Sequence, residues 1–399
     1  MAKGGKKFEV VALNPIAQVG LRRLPAERFD VVKDSKAPDV ILVRSADMHE
    51  MKFEKNLKAV GRAGAGVNNI PVKELSKLGV PVFNAPGANA NAVKELVVAG
   101  LLIAARNLAP ALDFVRNLDL KDSDLEKKVE AGKKAYAGVE LPGHTLGVIG
   151  LGKIGSLVAD AAIRLGMNVL GHDPEITVEA AWGLPAQVRK ANSVDELLRA
   201  SDFVTLHVPL VEKTRNLVNA KNIGLMKPGA VLLNFSRDGV VDDSAVLKAL
   251  ASKKLRCYVT DFPSAELIGR PGVVALPHLG ASTGEAEDNC AVMVCDQLTS
   301  YLVDGNMENA VNFPNAQMPR ESPYRLAIAN ANVPNMLASI STAMGSRKIN
   351  IHNMLNKSKG EMAYTLVDAD TPVPAEALKE LGSLNGVLTV RYLPVHDGH

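Results

Sequence analysis

Short apolar runs alternate with polar or helix-forming stretches along most of the chain. FEVVAL, FDVVK, DVILVRS, LKAVGRAG and VPVFNAP come first, and TLGVIG, NVLGHD, DFVTLHVP, AVLLNFS, CYVTD and VVALPH follow from residue 144 onward. Short valine-rich runs bounded by Gly, Pro and Asp are typical of buried parallel strands, and helical patterns separate most of the second set. The pattern predicts two doubly wound, Rossmann-like α/β domains, the second built on a six-stranded parallel sheet.

Changes in this pattern indicate where the domains end. An apolar helix is predicted at 92–107, and we interpret the lysine-rich segment after it as a crossover between domains. Past residue 285 come a further helix and a Pro- and Asn-rich linker, NAVNFPNAQMP. The remainder has the order strand, helix, strand, strand, helix, strand, which is ferredoxin-like. We expect one domain at 1–92, a second at 93–285 and a third at 322–399.

Composition restricts the class of protein. With 399 residues, 47% of them hydrophobic and 22% charged, the chain is long enough for several globular domains. The net charge of +3 comes from dispersed lysines and arginines, which gives little support to a nucleic-acid partner but leaves room for a basic pocket that binds an anionic substrate. Three cysteines make no disulfide framework and are typical of a cytosolic protein.

Targeting and membrane segments are not expected. The N-terminus, MAKGGKKFEVVAL, lacks the long apolar region and cleavage site of a signal peptide. Helix 92–107 is interrupted by Lys94, Glu95 and Arg106, and its apolar part is shorter than the roughly 20 residues of a membrane span. We therefore expect a cytoplasmic protein without a membrane partner.

The segment TLGVIGLGKIGSLVADAAIRLGMNVLGHDP carries the most specific motif. Gly150, Gly152 and Gly155 form G-x-G-x-x-G between a strand and a helix, where glycines permit a tight turn and the close approach of a pyrophosphate. Asp173 ends the next strand, where an acidic residue binds a ribose 2′-hydroxyl and repels a 2′-phosphate. The motif predicts NAD as the cofactor, bound by Gly150, Gly152, Lys153, Ile154, Gly155 and Asp173.

A second glycine-rich stretch, GRAGAGVNNI, does not fit this motif. Gly64 and Gly66 lack a third glycine, because Asn69 stands at its position. Two interpretations have equal support: a turn whose glycines permit unusual φ angles, or an amide-lined loop for an anionic group, flanked by Arg62.

Three polar side chains follow three consecutive predicted strands. Arg237 follows AVLLNFS, Glu266 follows CYVTD, and His278 ends VVALPH. Each alone is more often structural, as a surface ion pair, a solvated acid or a strand-end hydrogen-bonding group. Ligands of open parallel sheets bind beyond the carboxyl ends of the strands, so we expect these residues at the edge that carries the glycine loop. Their joint placement favours a functional site.

These residue types suit the oxidation of a secondary alcohol. A histidine titrates near neutral pH and accepts the hydroxyl proton as hydride leaves for a nicotinamide. A carboxylate such as Glu266 would orient the ring, and Arg237 would hold a substrate carboxylate through two hydrogen bonds. His207, which also ends a strand, is a further candidate for lining the cofactor cleft. No group of residues has metal-ligand spacing, so no metal is expected.

The order of the motifs resembles one known family. LVRSA, GRAGAGVNNI, VFNAPGANANAVKEL, GLGKIG, NFSRDGVVD, DFPSAE and LPHLGAST are similar in sequence and order to the D-isomer-specific 2-hydroxyacid dehydrogenases, from residue 1 to about residue 315. The resemblance implies a discontinuous substrate domain, in which 286–315 returns to the N-terminal segment. It also implies that helix 92–107 helps form a homo-oligomer, a dimer or a tetramer.

The resemblance also implies roles for individual residues. Arg237 binds the substrate carboxylate, His278 is the acid/base and Glu266 is its partner. Asp261 faces the nicotinamide carboxamide, and the cofactor cleft is lined by Pro209, Thr214 and Gly280. Substrate contacts come from Arg44, Ser45, Arg62, Ala65, Gly66 and Val67. The family usually has Gly after the catalytic arginine, whereas Asp238 stands there in this chain. Asp238 either pairs with Arg237 or points to solvent.

The C-terminal segment ANANVPNMLASISTAMGSRKINIHNML resembles an ACT regulatory domain, which lactate, glycerate and formate members of the family lack. The usual Pro-Gly turn is Pro334-Asn335 here. In serine-inhibited relatives a histidine and two asparagines contact the effector. Asn332 and Asn350 match the asparagines, whereas Asn330 replaces the histidine. L-serine is therefore an open candidate as effector.

Three functions remain open from the sequence. The first is NAD-dependent oxidation of a phosphorylated D-2-hydroxy acid, in which an ACT domain provides regulation. The second is dehydrogenation of an unphosphorylated D-2-hydroxy acid. The third is an NADH-sensing scaffold, similar to corepressors of this fold, in which NADH sets the oligomeric state. Turnover of a 2-hydroxy acid separates the first two functions from the third.

Overall fold

The computed structural model describes residues 7–121 and 123–395. Residues 1–6, 122 and 396–399 lie outside the described residues, and they include the lysine-rich start of the chain and the last residues of the expected third domain. The chain divides into two compact units. The first unit runs to Asn89 and resumes at Glu287, and the second unit is Ala90–Ala286.

The first unit begins with a five-stranded parallel sheet in the order β2-β1-β3-β4-β5. Its strands are β1 (Phe8–Ala12), β2 (Phe29–Val32), β3 (Val40–Val43), β4 (Ala59–Arg62) and β5 (Val82–Phe83), with the short helices α1 (Gln18–Leu21) and α2 (Val72–Lys77). The central strand β3, VILV, is buried at every position because both faces of the sheet are covered. Each of the five predicted apolar runs contains one of these strands.

The second unit begins with helices and continues as a seven-stranded parallel sheet. The helices are α3 (Ala90–Ala105), α4 (Leu108–Arg116) and α5 (Leu125–Gly132), so the lysine-rich crossover is largely helical. The sheet and its crossover helices are β6 (Thr145–Ile149), α6 (Lys153–Arg164), β7 (Asn168–His172), α7 (Val178–Trp182), β8 (Arg189–Lys190), α8 (Val194–Ala200), β9 (Phe203–Leu206), β10 (Ala230–Asn234), α9 (Asp243–Ala251), β11 (Leu255–Thr260) and β12 (Val273–Ala275).

The strand order of this sheet is β12-β11-β10-β9-β6-β7-β8. The direction of winding changes between β6 and β9, which is the switch point where doubly wound sheets bind ligands. The prediction of six strands missed β8, because a two-residue, exposed Arg-Lys strand has no apolar pattern. The predicted strand VVALPH ends earlier than expected, at Ala275. Leu276 N still donates to Thr260 O, but the ladder cannot continue because Pro277 has no N–H.

The rest of the first unit starts at Glu287, within α10 (Gly284–Thr299), which continues as a π-helical turn, Ser300–Asp304. It is followed by β13 (Tyr324–Ala331), α11 (Met336–Ser346), β14 (Ile351–Lys359), β15 (Met362–Ala369), α12 (Ala375–Ser383) and β16 (Val387–Pro394). The strands form an antiparallel sheet in the order β14-β15-β13-β16, which confirms the ferredoxin-like prediction. Asn335 takes the left-handed conformation, φ 67°, that the usual glycine of this turn would adopt.

The C-terminal sheet shares a core with the N-terminal part of the first unit, whereas the sequence suggested a separate small unit. One face packs on α11 and α12. On the other face Tyr364 and Leu366 join the cluster that contains Tyr301 and Phe313. Arg391 stacks its guanidinium 4.4 Å from the Tyr301 ring and donates to the carbonyls of Tyr301 and Leu302. Non-local contacts of this kind leave no periodic pattern in the sequence.

None of the described helices is by itself long and apolar enough to cross a membrane; α3 and α4 meet that length and composition only as a pair, bent by 68° at their junction. The three cysteines, Cys257, Cys290 and Cys295, are free and buried.

Candidate cofactor and catalytic site

The glycine loop after β6 has the geometry that a dinucleotide requires. Gly150 has φ 89°, and a Cβ there would lie 2.5 Å from His207 O. A Cβ on Gly155 would lie 1.9 Å from Gly150 O, so only glycine allows this packing. A Cβ on Gly152, in contrast, would meet nothing within 4 Å. Two glycines are therefore required by the fold, whereas Gly152 leaves open space at the N-terminus of α6, where unpaired N–H groups suit a pyrophosphate.

Asp173 follows β7 directly and lies beside the loop. Its Oδ2 accepts a hydrogen bond from Leu151 N at 2.9 Å, and its Oδ1 accepts one from Glu175 N at 3.0 Å. A cavity of about 460 Å³ adjoins Asp173, and its walls include Leu151, Ile176, Leu184 and Val188. Apolar walls with a carboxylate at the edge fit an adenine and its ribose, because each carboxylate oxygen can accept more than one hydrogen bond. These residues fit a bound NAD.

His207 follows β9 at the switch point. Its Nε2 lies 3.0 Å from Thr205 Oγ1, and its Nδ1 is buried with no hydrogen-bond partner among the described residues. Burial lowers the pKa of His207 to about 3, so the ring is neutral at physiological pH. In the loop that follows, the Thr214 hydroxyl donates to Pro209 O at 2.5 Å. The structure thus brings Pro209 and Thr214 together after this strand.

Arg237 lies in the turn after β10. Asn234 Nδ2 donates to Arg237 O at 3.0 Å, and Asn234 Oδ1 accepts from the backbone and hydroxyl of Ser236. The exposed guanidinium donates through Nη1 to Ser236 O at 2.7 Å. Asp238 is exposed and, in the described part of the chain, forms no ion pair with Arg237. The Asp238 side chain therefore points to solvent, which is the second of the two alternatives given above.

Glu266 and His278 are not joined in this structure. No hydrogen bond links their side chains among the described residues, and the backbone carbonyl of Glu266 accepts from Arg270 Nε at 3.0 Å. Glu266 lies close enough to Asp243 to affect its pKa. Burial raises the pKa of Asp243, the hydrogen bond from the Ser264 hydroxyl lowers it, and the charges of Asp238 and Glu266 raise it. The groups near Glu266 therefore include other carboxylates, and its role as partner of the histidine stays a prediction.

The position of His278 depends on the backbone of its loop. Its backbone has φ 56°, a rare conformation for a residue with a side chain, and its ring lies 4.9 Å from that of Phe262. Asp261, 2% exposed, accepts hydrogen bonds from Leu279 N and Gly280 N, at 2.7 and 2.8 Å. Asp261 thus fixes the loop that carries His278. Phe262 is not among the residues predicted from the sequence, although its place directly after Asp261 at a strand end was a usable signal.

The residues expected to contact substrate belong to the first unit. Asn14 Oδ1 accepts hydrogen bonds from the backbone N–H groups of Arg44, Ser45 and Ala46, at 3.0, 3.0 and 2.9 Å. The guanidinium of Arg44 forms an ion pair with Glu287 in the first turn of α10. Neither Asn14 nor Glu287 is among the residues predicted from the sequence, because nothing in the spacing of these residues relates them to Arg44.

Glycine conformation and a hydrogen bond from Asn84 shape the loop after β4. Gly64 has φ 149°, and a Cβ there would lie 1.3 Å from Arg62 Nη1. Asn84 Nδ2 donates to Ala65 O at 2.6 Å, whereas a Cβ on Gly66 would meet nothing within 4 Å. Val67 packs partly against the core of the N-terminal sheet. The glycines therefore serve a turn, and Gly66 leaves space over the backbone of the kind that an anionic group requires.

The three asparagines of the C-terminal sheet hold local backbone or side chains. Asn330 is 1% exposed, and its Nδ2 donates to Ala331 O at 2.7 Å. Asn332 Nδ2 donates to Gly360 O, and Asn350 Nδ2 donates to Asp370. Asn332 and Asn350 are exposed, whereas Asn330 is not. Among the described residues, no group of three or more His, Cys, Asp or Glu side chains is arranged to hold a metal ion.

A glycine loop at the switch point of a parallel sheet, with an acid ending the next strand, defines a dinucleotide-binding protein of the Rossmann class. Residues 108–280 match the family model described as D-isomer specific 2-hydroxyacid dehydrogenase, NAD binding domain. D-3-phosphoglycerate dehydrogenase of Escherichia coli K12 is 33% identical over 361 residues, which are 85% of this chain and 82% of that protein. The chain belongs to the D-isomer-specific 2-hydroxyacid dehydrogenase family, and its second unit is an NAD-binding domain.

A second relative supports this family, and a solved structure supports the fold. D-3-phosphoglycerate dehydrogenase of Methanocaldococcus jannaschii is 38% identical over 316 residues, which are 75% of this chain and 56% of that protein. The chain thus spans little more than half of that relative. The structure of NAD+-bound 3-phosphoglycerate dehydrogenase of Entamoeba histolytica has a TM-score of 0.59 at 23% identity, covering 77% of this chain and 99% of that one. At this identity the likeness supports the fold.

Proposed function

We propose that the protein oxidises 3-phospho-D-glycerate to 3-phosphohydroxypyruvate with NAD+, the first step of L-serine biosynthesis. The observation that carries the proposal is that a relative named D-3-phosphoglycerate dehydrogenase aligns over 82% of its length at 33% identity, including the segments that hold Arg237 and His278. The C-terminal ferredoxin-like sheet further supports this substrate over the unphosphorylated acids, because its sequence resembles the ACT domain that lactate, glycerate and formate members of the family lack.

The chemistry follows from the groups beyond β10, β11 and β12. Arg237 offers a two-pronged hydrogen bond to the substrate carboxylate, which orients the carbon that bears the hydroxyl. His278 Nδ1 or Nε2 accepts the hydroxyl proton as the C–H bond breaks and the C=O bond forms. NAD+, when bound, accepts the hydride from that carbon. In the reverse direction His278 returns the proton to the ketone oxygen.

The phosphate of the substrate requires cations, and the first unit supplies them. Arg44 and Arg62 both lie close enough to Cys290 for their charges to affect its thiol. Ser45 and the backbone of 65–67 provide hydrogen-bond donors of the type that bind anions. We propose that these groups bind the phosphate of the substrate.

The test is an assay of NADH oxidation with phosphohydroxypyruvate and with hydroxypyruvate, on the wild type and on His278→Gln. We expect turnover of the phosphorylated ketone only, and a loss of about 10²- to 10⁴-fold in kcat for His278→Gln at unchanged NADH affinity. Equal use of hydroxypyruvate would favour a dehydrogenase of unphosphorylated acids. NADH binding without turnover of any 2-keto acid would favour the sensing scaffold.

We further propose that the protein assembles through the segment that follows α3. Leu108, Leu112 and Val115 form an exposed apolar stripe along α4, at 42%, 55% and 56% exposure. Leu112→Glu combined with Val115→Glu should lower the molar mass measured by light scattering. An unchanged mass would remove this segment from the interface.

We propose, finally, that the C-terminal sheet binds a regulatory ligand, with L-serine as the candidate. Asn332 and Asn350 are exposed and carry amides able to bind an amino acid. Turnover measured with and without L-serine tests this. Inhibition that is lost in Asn350→Ala supports the site, and turnover unaffected by L-serine excludes this effector.

A further inference from the structure

The ion pair between Arg44 and Glu287 joins the end of β3 to the first turn of α10. Arg44 Nη2 contacts Glu287 Oε1, and both side chains are 41% exposed. The backbone of Arg44 is fixed by Asn14 Oδ1 at 3.0 Å, whereas its guanidinium reaches into partly solvated space. The arginine is therefore well placed but already has an anionic partner within the chain.

Two further groups lie in the same neighbourhood. Cys290 follows Glu287 by one helical turn, and burial raises the pKa of its thiol. The charges of Arg62 and Arg44 lower that pKa, and the charge of Glu287 raises it. Two cations and one carboxylate thus lie around Cys290, and Glu287 cancels part of the positive charge that an anionic ligand would meet.

An ion pair between half-exposed groups is weak, because water screens the charges and both side chains keep conformational freedom. A ligand with more negative charge, or with oxygens placed for a bidentate contact, can replace the carboxylate. The pair is therefore reversible, unlike a buried one.

We propose that Glu287 is a positioning residue that competes with anionic ligands for Arg44 and thereby sets their affinity. This inference rests on the proposed function, in which Arg44 binds an anionic group of the substrate. Glu287 holds the arginine until that group displaces the carboxylate. Breaking this ion pair, together with the negative charge that Glu287 keeps nearby, lowers the affinity of the site for anionic ligands.

Glu287→Gln tests the proposal, since the amide keeps the shape of the side chain and removes its charge. Inorganic phosphate, titrated into the full-length protein by calorimetry, should bind about two- to fivefold more tightly to this variant than to the wild type. KM for phosphohydroxypyruvate should fall by a similar factor at unchanged kcat. Both effects should shrink at high ionic strength.

Asp288→Asn is the matched control, because it removes the same charge from an exposed neighbour on the same helical turn. It should leave phosphate binding and turnover unchanged. In an Arg44→Gln background, Glu287→Gln should have no further effect on phosphate binding. Glu287→Gln binding phosphate equally or more weakly than the wild type, or an equal gain from Asp288→Asn, would overturn the proposal.

The phosphate titration does not depend on catalysis. If the protein failed to reduce phosphohydroxypyruvate, the proposed function would fall, and tighter phosphate binding by Glu287→Gln would still establish the competition. If turnover were as proposed but the variant bound phosphate no more tightly, only the role of Glu287 would fall.

Discussion

The carboxylate of Asp261, at the end of β11, accepts a hydrogen bond of 2.8 Å from the backbone N–H of Gly280, two residues after His278. A second bond, from Leu279 N, uses the other carboxylate oxygen. The carboxylate therefore bridges adjacent residues of the loop that carries the proposed acid/base.

Asp261→Asn should displace this loop, because one of the two acceptors becomes an NH2 group that faces a backbone N–H. We expect kcat to fall about 10- to 100-fold, with a smaller change in the Kd of NADH. Steady-state kinetics and NADH fluorescence titration measure the two quantities. Asp30→Asn, an exposed aspartate of β2, should change neither. A large rise in Kd at constant kcat would instead support the contact with the nicotinamide carboxamide.

Gly152→Ala should weaken NADH binding, whereas Gly155→Ala should lower the stability of the fold. At Gly152 a methyl group meets nothing within 4 Å, so the fold should tolerate it while NADH affinity falls about tenfold or more, since the space belongs to the pyrophosphate. At Gly155 the methyl meets Gly150 O at 1.9 Å, and we expect a loss of about 1–3 kcal/mol in stability. Gly224→Ala, with open space away from the loop, serves as control. Thermal unfolding and NADH titration distinguish the three, and a Gly152→Ala variant with wild-type affinity would contradict the assignment.

His207 should make stability depend on pH. Because burial lowers its pKa to about 3 from 6.5, the unfolded chain binds a proton below pH 6.5 that the folded chain does not. Its contribution is complete above pH 6.5 and is lost as the pH falls toward 3. Urea unfolding should show about 1–2 kcal/mol less stability from this group at pH 5 than at pH 7.5. The difference should diminish in His207→Asn and persist in His352→Asn, whose histidine is exposed.

The buried pair Arg325–Asp368 should matter far more for stability than the exposed pair Arg347–Glu380. Arg325 contacts both oxygens of Asp368, at 2.6 and 2.7 Å, and both side chains are fully buried. Asp368→Ala leaves an uncompensated buried charge, which costs about 3–5 kcal/mol. Glu380→Ala should cost at most about 1 kcal/mol, since that pair is roughly 40% exposed. Equal shifts in urea midpoint would contradict this difference.

Local patterns predicted most of the elements and the cofactor motif. The runs of valine and isoleucine marked both parallel sheets, and Gly150, Gly155 and Asp173 lie where the G-x-G-x-x-G spacing required, because the turn after a parallel strand has few backbone solutions. The exceptions were β8, too short to show an apolar pattern, and the end of β12, where Pro277 stops the ladder before His278.

For the candidate site, the sequence predicted which residues follow which strands but not which side chains contact them. Arg237 and His278 follow β10 and β12, which both pair with β11, since chain order and parallel pairing together determine which strand ends lie at the same edge. The partners of these residues could not be predicted in this way. Asn14 and Glu287 contact Arg44 from far along the chain, and Phe262 contacts His278.

The sequence by itself determined the class of fold and the NAD-binding loop, because these depend on local periodicity and on the conformational needs of glycine, and the order of its motifs carried the resemblance to the family. Only the tertiary structure decided that Asp261 holds the loop of His278, that Glu287 neutralises Arg44, and that the C-terminal sheet shares a core with the N-terminal one. Such relationships depend on which side chains meet after the chain has folded, and contacts between distant residues impose no spacing on the sequence.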